Sequence, residues 1–133
     1  MLPEIMLRIL LILAGGALGA LFRYYLSGIP YRYTEGSFPW GTLLVNLLGA
    51  FIIGLLWGLT EEDMSPYFRS FVFIGVIASF TTFSTFALES ALLIRDGENA
   101  MAGAYILIMN LGILLVFAGL ISSKYMKAMG GSL

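Results

Sequence analysis

Between Phe80 and Phe86 the chain reads Phe80-Thr81-Thr82-Phe83-Ser84-Thr85-Phe86, four hydroxyls and three aromatic rings inside an uncharged run from Ser70 to Leu88. Polar groups are costly in hydrocarbon unless they are partnered or line a bundle interior or a water-filled path. At helical spacing Phe83 and Phe86 share a face, with Thr82 and Thr85 in a second row beside them. Hydroxyls donate hydrogen bonds without charge, and a phenyl ring has a positive edge and a negative face. That gives a stripe of ring edges beside a stripe of hydroxyls. The plainer alternative is that the hydroxyls bond to carbonyls one turn back and the rings face lipid.

Other polar residues fall inside or at the ends of apolar runs. Asn46 lies six residues after Trp40, with Thr42 one turn earlier on the same face. Its amide offers donors and an acceptor that lipid cannot satisfy. Arg23 follows a glycine-rich stretch, placed to snorkel from the end of its helix. Asn110 is the amide of the last apolar run, with Tyr105 toward its entry side, and Glu89 lies near the end of the run holding the Phe–Thr cluster. The plain roles of these groups are inter-helix glue for Asn46 and interfacial anchoring for Arg23 and Glu89.

The elements that must position these residues follow from composition. Of 133 residues, 59% are apolar and only 11% charged, against about a quarter charged in soluble domains. The chain reads as an all-α integral membrane protein. Four runs reach the roughly 20 apolar residues that a crossing needs: about 6–26, 40–60, 70–94 and 100–123. The linkers between them are too short to separate domains, so 1–133 is expected to be one four-helix unit. No convincing cleavage site follows the first run, so no removable leader is expected. Small residues recur at four-residue spacing, Gly15 and Gly19 in the first run and Ala50, Gly54 and Gly58 in the second, while Gly112 and Gly119 lie seven apart in the fourth. They mark faces where backbones can touch.

Several functions are excluded. The chain has no cysteine and no histidine, which removes disulfides, thiolate chemistry and imidazole catalysis. With no nucleophile–base pair either, it is not expected to be an enzyme. A net charge of −1 argues against a nucleic-acid partner. With four crossings, Arg8, Arg69, Lys124 and Lys127 lie on one side and Arg23, Arg32 and Arg95 on the other. Four against three is barely a bias of Lys and Arg, the plain alternative being one orientation set by a few charges or by a partner. The chain is therefore expected to insert both ways and to pair head to tail, since four short helices hardly enclose a path alone.

Three strings together resemble the small bacterial and archaeal fluoride channels of the Fluc (CrcB) family. They are Gly15-Gly16 with Gly19-Ala20 and Arg23-Tyr24, Gly41-Thr42 with Asn46 and Gly49, and Thr81-Thr82-Phe83-Ser84-Thr85-Phe86. The resemblance implies an antiparallel, dual-topology homodimer of four-helix subunits in the plasma (inner) membrane, with a broken third helix and two fluoride pathways. It places Phe83 and Phe86 as pore phenylalanines and Asn46 as the pore asparagine. Thr42, Ser84, Thr85, Tyr105 and Arg23 fall at polar or supporting positions. It also implies one structural sodium ion at the dimer centre, held by backbone carbonyls matching Ala78 and Thr81. The chain departs from the family at Ala78-Ser79, where two glycines are usual, and at Met109, where a hydroxyl is usual. The rival from another class is a small dual-topology proton-coupled exporter, which needs a titratable carboxylate deep in the membrane; Glu89 is the nearest to one.

Overall fold

A computed structural model describes residues 1–130. Among them four helical spans are long and apolar enough to cross a membrane: Leu2–Arg32, Trp40–Thr60, Pro66–Arg95 and Asn99–Gly130. The first consists of α1 (Leu2–Gly28) and a short 3₁₀ turn, Pro30–Arg32. The second is the uninterrupted α2 (Trp40–Thr60). The outer surface carries exposed Leu10, Leu13, Leu21, Phe22, Ile113, Leu114 and Phe117. Such a continuous apolar exterior belongs against hydrocarbon, and the chain is a multi-pass membrane protein.

The third span is the irregular one. It opens with α3 (Pro66–Phe68), whose first turn is capped where the Phe68 N–H donates to Ser65 Oγ at 3.1 Å. The chain then widens into π-helical winding over Arg69–Ile77 and returns to α4 (Ala78–Phe80). At Thr81 and Thr82 the backbone is extended, with φ/ψ of −89°/158° and −151°/115°, before α5 (Phe83–Arg95) begins. Ala78 has ordinary right-handed helical angles. Its side chain is therefore accommodated without backbone strain. The fourth span divides into α6 (Asn99–Asn110) and α7 (Gly112–Gly130) around Leu111.

Two close pairings hold the spans. α1 packs on the π-helical segment and α4, and α2 packs on α7. Lipid supplies no hydrophobic force between helices, so close backbone approach and dispersion must do so. A Cβ at Gly54 would collide with the Val116 carbonyl, and one at Gly119 with the Phe51 carbonyl. Gly15 and Gly75 face each other across the other pair, where a Cβ on Gly75 would come within 2.9 Å of the Gly15 Cα. The glycine ladders thus lie at the helix contacts. Arg8 adds a polar tie, its Nε donating to the buried Ser70 Oγ at 3.2 Å.

Substituting Gly54→Val should force α2 and α7 apart and destabilise the fold by about 1–3 kcal/mol. Gly103→Ala, where an added Cβ meets nothing within 4 Å, should leave the fold intact and, within a helix, raise stability by about 0.5–1 kcal/mol. Thermal unfolding of the two variants in detergent, followed by tryptophan fluorescence, checks both.

Candidate functional site

The interruption of the third span exposes backbone polar groups deep in an apolar bundle, and one side chain meets them. Asn46 Oδ1 accepts from the Thr82 N–H at 2.7 Å, and its Nδ2 donates to the Thr82 carbonyl at 2.9 Å. The amide therefore pairs with Thr82 as a neighbouring strand would. This requires α2 to present Asn46 opposite the break, and Gly49 one turn on makes room for the Thr81 methyl that lies against it. Asn46 Nδ2 carries a second N–H, which remains available as a donor.

Thr82 is the N-cap of α5. Its Oγ1 accepts from the Thr85 N–H at 3.3 Å and donates to Thr85 Oγ1 at 3.0 Å. The hydroxyls of Thr82 and Thr85 do lie side by side, but as a helix cap rather than as two positions of one continuous helix. Thr81 instead bonds back to the Ile77 carbonyl at 3.2 Å, the plain role considered for such residues. The amide N–H groups that an unbroken helix would direct to the Ala78 and Thr81 carbonyls go to Asn46 and to Thr82 Oγ1.

The rings form a chain of edge contacts. Phe83 and Phe86 have centroids 5.8 Å apart at 60°, and Phe86 meets Tyr105 at 5.2 Å and 65°. Phe83 is 78% exposed, whereas Tyr105 is fully buried. Below these rings sits a residue that sequence reasoning assigned to the interface. Glu89 accepts from Thr42 Oγ1 at 2.8 Å through Oε1 and from the Tyr105 hydroxyl at 2.6 Å through Oε2. Glu89 thereby ties α2, α5 and α6 together and sets the Tyr105 ring against Phe86. Its spacing, three residues after Phe86 and seven after Thr82, was the available signal, since both intervals return to one helix face.

Two grooves flank the break. One of about 440 Å³ is lined by Asn46, Thr82, Phe83, Phe86, Met109 and Asn110, among others. The other, also of about 440 Å³, is lined by Arg23, Tyr24, Ser27, Thr42, Thr82 and Thr85 with two small apolar residues. The first is mainly apolar, while the second is rich in hydroxyls beneath a cation. Thr82 reaches both, so the broken segment is the partition between them. Of the sequence-derived residues, Asn46, Phe83 and Phe86 gather in the first groove and Thr42, Thr85 and Arg23 in the second. Tyr105 lies buried behind the rings, and Ser84 is exposed on the first turn of α5, lining neither groove. No cluster of His, Cys, Asp or Glu able to hold a metal occurs among the described residues.

Removing the amide in Asn46→Leu leaves the Thr82 N–H and carbonyl unpaired, at an expected cost of about 1–3 kcal/mol for each buried group. Hydrogen exchange at residues 78–86 should accelerate in this variant and remain slow elsewhere.

The chain matches the family model described as "CrcB-like protein, Camphor Resistance (CrcB)" over residues 10–120. It is 41% identical over 121 residues to a Fluoride-specific ion channel FluC of Parabacteroides distasonis, covering 90% of this chain and 94% of that one. The protein of the same name from Salinibacter ruber is 47% identical over 116 residues, covering 86% and 87% of the two chains. That from Nitrosococcus oceani is 43% identical over 112 residues, covering 82% and 90%.

Proposed function

Since the chain belongs to the CrcB-like family, we propose that it is a fluoride channel in which the ion passes the broken third span between the two grooves. The observation that carries this reading is the first groove, where the Asn46 amide at the break faces the Phe83–Phe86 edge contact. It is not an enzyme: the relatives are named as ion channels.

Fluoride is small and strongly hydrated, so a path must replace its water without trapping the ion. Arg23 at the hydroxyl-rich groove supplies attraction at the mouth. Past it, the path offers neutral donors only: the hydroxyl of Thr85, the spare N–H of Asn46, and the positive edges of Phe83 and Phe86. Fluoride approaches such donors more closely than chloride, which favours it in a narrow site. Glu89 stands behind the rings with both its oxygens engaged by Thr42 and Tyr105. That engagement also disfavours the proton-coupled exporter, which needs a carboxylate free to alternate between proton and substrate. The direction is export: hydrogen fluoride, a weak acid, enters cells neutral and ionises inside, and the inside-negative potential drives the anion out.

The functional unit we propose is an antiparallel homodimer of dual-topology subunits with two pathways. Its support is the four-to-three charge split and the first groove, which leaves polar groups at membrane depth open on one chain. A second copy would cover them. At its centre the Ala78 and Thr81 carbonyls, released from helical bonding by the break, are oxygen donors of the kind a sodium ion takes. Held there, the ion would neutralise converging carbonyls and play no part in conduction.

Liposomes holding the purified protein should lose fluoride rapidly and chloride hardly at all, read with ion-selective electrodes. Phe83→Ile and Phe86→Ile, which keep bulk but lose the ring edge, should each lower fluoride efflux about tenfold or more while the dimer stays folded. Equal efflux of both halides, or unchanged efflux in both variants, counts against the mechanism. For orientation, a side-sensitive reporter fused to either terminus should report both faces of the membrane; a reporter confined to one face rules out dual insertion.

A further inference from the structure

Asn110 has a place in the structure that the pathway described above does not use. It is eleven residues along the fourth span from Asn99, or about 16 Å at helical rise, close to the middle of a roughly 30 Å hydrocarbon layer. It is the last residue of α6, at the point where the span divides at Leu111. One N–H of its amide donates back to the Ile106 carbonyl at 2.7 Å, and the side chain is exposed. No other bond to this amide is present among the described residues. An amide with a spare donor is costly against lipid at that depth. The back-bond to Ile106 meets only half of what the group requires.

The exposed amide opens into the first groove, whose lining it shares with Asn46, Thr82, Phe83 and Phe86. The two asparagines come from different spans, α2 and α6, and are in the same condition. Each has one N–H committed to a backbone carbonyl, Thr82 for Asn46 and Ile106 for Asn110. Each therefore keeps a second N–H fixed in orientation by the first, because both hydrogens lie in one rigid amide plane. Two oriented neutral donors lining one groove form a better stand-in for a hydration shell than one. Neither brings a charge that would hold the ion.

We propose that Asn110 is a second amide donor of the anion pathway, contacting fluoride as it passes Phe83 and thereby setting its affinity in the groove. This rests on the channel reading given under Proposed function. It differs from a purely structural role, in which the Ile106 bond alone accounts for the residue.

The test is fluoride efflux from liposomes as a function of fluoride concentration, with wild-type protein and Asn110→Leu, Asn110→Gln and Asn110→Asp variants. Asn110→Leu removes the donor at similar volume. It should lower efflux about tenfold and raise the half-saturating fluoride concentration, the size expected for one lost hydrogen bond to a charged group. Asn110→Gln retains an amide and should recover a substantial part of the rate. Asn110→Asp presents a carboxylate, which accepts but cannot donate, and should fall to or below the rate of Asn110→Leu. A wild-type rate and half-saturation in Asn110→Leu would overturn the proposal while leaving the channel reading intact, as would an Asn110→Gln variant no better than Asn110→Leu. Wild-type protein that passes no fluoride would overturn the channel reading itself and this inference with it.

Discussion

The fold turns on the pairing of Asn46 with Thr82. A helix crossing a membrane satisfies its own backbone, and a break in it leaves several amides and carbonyls with neither water nor helix to bond. Here the two extended residues Thr81 and Thr82 are tolerated because Asn46 meets both polar groups of Thr82 and because Thr82 caps the helix that follows. The same two bonds fix the Asn46 amide plane, so the residue that supports the break also presents its remaining N–H in a defined direction. Support of the backbone and presentation of a donor are thus one arrangement.

The remaining architecture holds α2 and the third span in the positions that this pairing needs. Glycine contacts draw α2 onto α7 and α1 onto the π-helical segment, so the irregular span is gripped upstream of its break by α1. Downstream, Glu89 gathers α2, α5 and α6 through Thr42 and Tyr105. The rings of Phe83, Phe86 and Tyr105 follow from that anchor, each meeting the next at a steep angle. A weak, neutral site of the kind proposed would tolerate little slack, since its attraction would come from ring edges and single N–H groups whose effect depends on direction.

Much of this was legible from residue types. Four apolar runs announce four spans, and α2 begins and ends at the boundaries its sequence suggests, Trp40 and Thr60. The Phe–Thr cluster and Asn46 stand out because polar groups in hydrocarbon need a reason. The glycine spacings likewise mark the faces that come into contact. Glu89 shows in the sequence only as a carboxylate near a helix end, and nothing local shows that Tyr105, from another span, donates to it. Asn110 was noticed only as an isolated amide.

The sequence by itself determined a membrane protein of four helices, its neutral and polar inventory, and its family, because hydropathy and local spacing are properties of short stretches. Only the tertiary structure decided which polar groups meet. The Asn46–Thr82 pairing spans 36 positions and the Thr42–Glu89 bond 47, and separations of that size are set by how the helices pack. Packing also decided that Thr81 bonds to its own helix while Thr82, its neighbour, turns to α2. The two are alike in type and adjacent in sequence, and only the position of the break relative to Asn46 separates them.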